Sequence, residues 1–258
     1  MILIDSHCHI NSQELRLDSR AVVTRAMEAG VKKFMIVGCD YEDSCEAVAM
    51  AQDFAQFGLY ASIGIHPHES GRYEKIPEEF NSLIHSERVC AVGEIGLDYH
   101  YNHSTKESQH KMFALQLEFA AREKMPVILH IREAMNDAMN ILRDYRDLKL
   151  LFHCYSGGFK YLDETLSMSS TMLGFGGALT WQGKNSDELR KVFKQVPIEN
   201  ILLETDCPYM APAPFRGQIN EPSFIKYVYD KATEIKNLDI AVLANKIEIN
   251  AKNFFNWE

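Results

Sequence analysis

No run in this 258-residue sequence approaches the roughly 20 consecutive apolar residues that a membrane-spanning helix requires. A membrane protein is therefore not expected. Met1 to Asp5 offer only a short apolar stretch with no basic leader and no small-residue cleavage site, so no signal peptide is read there and a cytoplasmic location is expected. The six cysteines (Cys8, Cys39, Cys45, Cys90, Cys154, Cys207) show no CxxC spacing. Several lie in apolar runs, as reduced structural thiols do. Basic excess is missing too: 27 Lys and Arg stand against 36 Asp and Glu, a formal charge of -9. That excludes a broad cationic surface able to displace counterions along a long polyanion, so any contact with nucleic acid is local. Linkers, internal repeats and low-complexity stretches are also absent from the sequence, which leaves one domain spanning residues 1–258 as the simplest organisation.

Short apolar, β-rich runs recur at Leu3–Asp5, Lys33–Val37, Leu59–Ile65, Val89–Ile95, Val127–Ile131, Leu150–His153, Thr171–Gly176 and Ile201–Asp206. Segments with apolar residues every three or four positions separate them, as in 19–29, 44–57, 109–122 and 134–145. Apolar strands alternating with helices indicate a parallel sheet covered by helices through right-handed crossovers. Eight such units in a chain of this length predict a single-domain (β/α)8 TIM barrel, with an open doubly wound sheet as the rival. The tail carries two helical patterns, 223–235 and 239–254, one more than the last unit needs.

Chemistry-bearing residues sit where these strands end. In Asp5-Ser6-His7-Cys8-His9, strand alternation points His7 and His9 the same way, so the pair can share a cation. A lone HxH pair is equally at home on an ordinary surface. Here Glu94, His130, His153 and Asp206 close four further apolar strands, and in a parallel barrel all strand C-termini emerge on one face. Leaving such groups unpartnered at the ends of buried strands is costly, and coordination offsets that cost. Four imidazoles and two carboxylates suit Zn²⁺, and equally Mn²⁺ or Mg²⁺ when carboxylate and water complete the shell. Cys154 and Cys207 adjoin ligands, but alternation turns them toward the core.

Seven ordered segments carry a family resemblance: Asp5-Ser6-His7-Cys8-His9, Gly64-Ile65-His66-Pro67-His68, Val92-Gly93-Glu94-Ile95-Gly96-Leu97-Asp98-Tyr99, Pro126-Val127-Ile128-Leu129-His130-Ile131-Arg132, Phe152-His153-Cys154-Tyr155-Ser156-Gly157, Leu203-Glu204-Thr205-Asp206-Cys207-Pro208 and Asn220-Glu221-Pro222. Over nearly its whole length the chain resembles the TatD family of metal-dependent deoxyribonucleases, within the amidohydrolase-like barrels. The resemblance implies two divalent cations per subunit: one on His7, His9 and Asp206, the other on His130 and His153, with Glu94 bridging. Two departures, Ile219 before Asn-Glu-Pro where a basic residue is frequent and Glu133 where Asp is common, leave the ligands untouched and bear on substrate range.

The implied activity is hydrolysis of phosphodiester bonds at DNA ends or in short oligonucleotides by a metal-activated water, as a 3'-5' exodeoxyribonuclease. Asp206 and Glu94 are the catalytic candidates, Asp206 orienting or deprotonating the water. For substrate contact the sequence offers His66, His68, Arg132, Tyr99, Arg216 and Asn220, with Tyr99 as a base-stacking candidate and Arg216 and Asn220 closing a rim. Glu204 is a candidate support for a ligand histidine. The same chemistry would also cleave an ester, lactone or amide, and a barrel that binds metal without turnover is a third reading. No obligate protein partner is evident.

Overall fold

Strands this uniformly apolar need cover on both faces, and the chain supplies it by alternating them with helices. In the computed structural model, which describes residues 2–101 and 103–257, the strands are β1 (Leu3–Cys8), β2 (Val31–Val37), β3 (Leu59–Ile63), β4 (Val89–Asp98), β5 (Val127–Arg132), β6 (Leu150–Phe152), β7 (Thr171–Phe175) and β8 (Ile201–Leu203). The helices are α1 (Ser19–Glu28), α2 (Tyr41–Asp53), the single turn α3 (Phe80–Leu83), α4 (Lys106–Glu123), α5 (Met135–Leu142), α6 (Gly158–Leu166), α7 (Lys184–Gln195), α8 (Ile225–Lys236) and α9 (Ile240–Phe255). Every paired strand is parallel to its neighbour and the spatial order is the chain order, β1 to β8. The expected TIM barrel is present.

Helix boundaries follow local chemistry. The carboxylate of Asp40 accepts from the Asp43 amide to start α2, and the Thr105 hydroxyl accepts from Ser108 to start α4. Along α2 the buried positions Ser44, Ala47, Val48 and Ala51 fall on one stripe at helical spacing and face the sheet. The extra helix of the tail also has a place: α9 buries Leu243, Ala244, Ile247, Ala251, Phe254 and Phe255 and packs on β1 and β8, covering the seam where the barrel closes.

That seam is stitched where the site begins. The Asp206 amide donates to the His7 carbonyl (2.9 Å), the His9 amide to the Cys207 carbonyl (2.8 Å), and the Asp5 carboxylate accepts from the amide and hydroxyl of Thr205 (2.9 and 2.6 Å). Burial pushes the Asp5 carboxyl up to about 8, while the Thr205 and His7 donors pull it down. Several strands end earlier than their apolar runs: β3 at Ile63, β6 at Phe152 and β8 at Leu203. At the mouth the backbone leaves the ladder to aim polar side chains inward. β4 instead runs on to Asp98, paired with Arg132. Among the described residues no helix is long and apolar enough to cross a membrane.

Asp5→Ala strands both Thr205 donors inside the seam. It is expected to lower the unfolding free energy in urea by about 2 to 4 kcal/mol, whereas a loss below about 1 kcal/mol would show the seam independent of Asp5.

Candidate metal centre

Glu94 lies at the middle of the mouth because its neighbours let the backbone in. A Cβ on Gly93 would stand 2.6 Å from the Ile128 Cβ, and one on Gly64 would stand 2.7 Å from the Gly93 carbonyl carbon. Only glycine permits strands so close, and the Glu94 amide is then fixed on the Gly38 carbonyl at 3.0 Å. The carboxylate is buried and divided between two groups of nitrogens. Its Oε2 faces His7 Nε2 at 3.6 Å and His9 Nε2 at 3.8 Å. Its Oε1 faces His130 Nδ1 at 2.7 Å, His153 Nε2 at 3.3 Å and His66 Nε2 at 4.0 Å.

Asp206 completes the first group, with Oδ1 3.5 Å from His9 Nε2 and 3.7 Å from His7 Nε2. His7 Nε2 and His9 Nε2 are themselves 3.1 Å apart. A tetrahedral ion with bonds near 2.1 Å spaces its ligand atoms about 3.4 Å apart, and the His7–His9, His7–Glu94, His9–Glu94, His7–Asp206 and His9–Asp206 contacts run from 3.1 to 3.8 Å. His9 is oriented for it, since its Nδ1 meets the Val37 carbonyl at 3.2 Å and leaves the Nε2 lone pair facing inward. On the other side His153 Nδ1 sits 3.3 Å from Glu204 Oε1, which also takes the Cys154 amide at 2.6 Å. Glu204 is thus placed as the sequence suggested, behind a ligand histidine.

Charge balance tells the same story. Glu94, Asp206 and Glu204 converge here, and among the described residues no Lys or Arg pairs with any of them. Burial pushes the Glu94 carboxyl up, but His153, His7 and His130 outweigh it and hold it well below its usual range. For Asp206 burial is likewise outweighed, by His153, His9 and His7. Burial, with His130 beside it, drives His66 well down, and its Nδ1 accepts from the His68 amide at 3.1 Å. Buried carboxylates with imidazoles as their only cationic partners form a donor set that fits divalent metal.

All six residues expected to bind metal are brought together. The structure groups them in its own way: His7, His9 and Glu94; His7, His153 and Asp206; and His66, Glu94 and His130. His66, expected at the substrate, therefore stands among the donors. His68 is near it, sharing Asp98 with His130: Asp98 Oδ2 lies 3.0 Å from His68 Nε2 and 2.9 Å from His130 Nε2. Asp98 Oδ1 accepts from the amides of His100 and Tyr101, and these donors with His130 and His68 hold the buried carboxyl below its usual range against desolvation. Sequence reasoning overlooked Asp98 as a site residue, although it falls four positions after Glu94 on the same strand face.

Arg132 ends β5 with its guanidinium 4.8 Å from the Tyr101 ring, and Arg216 lies 4.5 Å from the Trp181 ring. Three expectations are corrected. Tyr99 is not an open stacking surface, because the Lys106 ammonium sits 3.7 Å over its ring and its hydroxyl is held by Asp137 and His110. Asn220 does not line a rim: it is fully buried, donates to the carbonyls of Thr205 (2.8 Å) and Tyr209 (2.7 Å), and accepts from the Glu221 amide. Its role is to fasten the loop after β8, while Glu221 ties that loop to Arg25 of α1 at 2.6 Å. Cys154 does not point into the core. β6 has ended by then, its backbone turns to φ 43°, and its thiol comes within 4.0 Å of Asp206 Oδ2. Cys207 is buried as expected.

A TIM barrel with this donor set at its mouth is a metal-dependent hydrolase. Residues 4–256 match the family model described as TatD related DNase. The chain is 34% identical over 257 residues to the metal-dependent hydrolase YabD of Bacillus subtilis, covering 98% of this chain and 99% of that one. It is 30% identical over 260 residues to a 3'-5' ssDNA/RNA exonuclease TatD of Pectobacterium carotovorum, covering 98% and 99%. Among solved structures it superposes on the TatD homologue YJJV of Escherichia coli with a TM-score of 0.88 at 29% identity, covering 98% of each. The chain belongs to the TatD family.

Removing Asp98 frees both His68 and His130 to reorient. Asp98→Ala is expected to weaken metal affinity by about 10- to 100-fold in competition with a chelating dye, and an unchanged affinity would show that Asp98 does not orient His130.

Proposed function

We propose that this chain is a 3'-5' exodeoxyribonuclease that hydrolyses phosphodiester bonds at DNA ends, with two divalent cations on either side of Glu94. The observation that carries this is the split of the Glu94 carboxylate, Oε2 toward His7 and His9 and Oε1 toward His130 and His153. His7, His9, Glu94 and Asp206 would hold one cation. Glu94, His130 and His153 would hold the other, with His66 in reach. The donor set accepts Zn²⁺, Mn²⁺ or Mg²⁺. When bound, the cations supply Lewis acidity toward the phosphoryl group and bring a water's pKa toward neutrality.

The chain's own residues do the rest. Asp206, ionised and facing the centre, would take the proton from the attacking water as its oxygen bonds to phosphorus and the 3'-O–P bond breaks, and would pass that proton to the departing 3'-oxyanion. Arg132, with no carboxylate partner among the described residues, is placed at the end of β5 to donate to non-bridging phosphoryl oxygens. Asp98 holds His130, and Glu204 lies 3.3 Å behind His153, so His130 is aligned before substrate arrives and a carboxylate stands against His153. Relatives named as exonucleases of single-stranded DNA and RNA support the substrate class. The acidic chain fits a short contact with a strand end better than a long one.

Purified protein stripped with chelator should leave end-labelled single-stranded DNA intact and release mononucleotides from one end after resupply of Mg²⁺, Mn²⁺ or Zn²⁺. Intact DNA alongside turnover of an ester or lactone would replace this proposal with carbonyl hydrolysis. Metal occupancy with no turnover of any substrate would mark a silent binding protein. Asp206→Asn should cost about 10²- to 10⁴-fold in kcat while most of the metal stays bound, and near-normal turnover would remove Asp206 from the proton transfer.

A further inference from the structure

Beside the centre, between the ends of β6 and β7 and the loop after β8, the mouth opens into a groove of about 760 Å³. Cys154, the residue whose thiol meets Asp206, is part of its wall, so the groove adjoins the metal centre. From there the lining passes over Tyr155, Ser156 and Phe159 to Trp181 and Arg216. Phe159 is 45% exposed and offers part of its ring to the groove.

Trp181 is held rigidly. Its indole Nε1 donates to the Ala211 carbonyl at 2.8 Å, and its own carbonyl accepts from Arg190 at 2.7 Å. Arg216 lies over the ring at 4.5 Å and, among the described residues, has no carboxylate or hydrogen-bond partner. A guanidinium stacked on an indole keeps its in-plane N–H groups free and offers its outer face to another π system. Arg216, Lys184 and Glu188 are the charged residues of this lining, leaving it one positive charge in excess within a chain of net charge -9. The aromatic pair across the mouth is different, since the Tyr101 ring is already flanked by His68, His100, His103 and Arg132.

We propose that this groove is a nucleobase subsite for single-stranded nucleic acid, taking the nucleotide adjoining the scissile phosphate, with Trp181 and Arg216 forming the stacking platform. Every base has a π face and each nucleotide brings one negative charge, which matches an aromatic floor beside an unpaired guanidinium. The assignment deepens the nuclease proposal and rests on it: the site becomes one that reads a stacked, unpaired strand rather than any phosphodiester.

The sequence has two tryptophans, and Trp257 is buried between the Tyr60 and Phe255 rings, so Trp257→Phe leaves Trp181 as the single indole fluorophore. Titrating that protein with a hydrolysis-resistant phosphorothioate hexathymidylate should change Trp181 emission saturably, and inorganic phosphate should not. In steady-state kinetics Trp181→Ala should lower kcat/KM for an oligonucleotide, relative to that for bis-p-nitrophenyl phosphate, by roughly tenfold or more, mainly through KM. Trp181→Phe should recover most of the loss. DNA hydrolysis without any emission change, or with an unchanged ratio in Trp181→Ala, would overturn the subsite and leave the nuclease standing. A saturable change without hydrolysis of the unmodified oligonucleotide would support the groove as a nucleobase site and overturn the nuclease.

Discussion

Two carboxylates, Glu94 and Asp206, are set into the barrel mouth among imidazoles and away from every described Lys and Arg. Desolvating an ionised carboxylate costs several kcal/mol even after relaxation, and neutral imidazoles repay little of it. Protonated imidazoles could balance the charge, but then neither His7 Nε2 nor His9 Nε2, 3.1 Å apart, could offer a lone pair to an ion. Divalent cations would satisfy the carboxylates and the lone pairs together. The surrounding contacts serve that arrangement: Val37 orients His9, Glu204 backs His153, and Asp98 holds His130 and His68.

The fold meets this demand by bringing strand ends together rather than by building a loop around the ions. Gly93 and Gly64 narrow the spacing beside β4 so that Glu94 reaches the axis, while Gly96, at φ 146°, packs directly on the His130 carbonyl. The β1–β8 seam is tied through the same residues that carry ligands, so closing the barrel and placing His7, His9 and Asp206 are one event. Asn220 and Glu221 then fix the loop after β8 by hydrogen bonds and an ion pair to α1. Motif residues in that loop act by holding backbone, and the groove at its outer side depends on that hold.

Legibility in the sequence followed locality. The six strand-end donors could be read because each closes an apolar run and a parallel barrel sends all such ends to one face. Glu204 could be read by carrying alternation one residue past the end of β8 at Leu203, and Asp98 would have been read by alternation within β4 had the strand been taken past Ile95. Cys154 was misplaced because alternation was carried beyond the end of β6. Tyr99 and Asn220 were misplaced for another reason: their partners, Lys106, Asp137, Thr205 and Tyr209, come from turns whose paths no periodicity reveals. The Trp181 groove is illegible for the same cause, since it joins residues from three separate βα loops.

The central claim is that the Glu94 carboxylate joins two cations. Anomalous diffraction from crystals soaked in Mn²⁺, collected at the manganese edge, tests it most directly. Two peaks are expected, one against Oε2 with His7, His9 and Asp206 and one against Oε1 with His130 and His153. A single peak, or peaks away from Glu94, would contradict it.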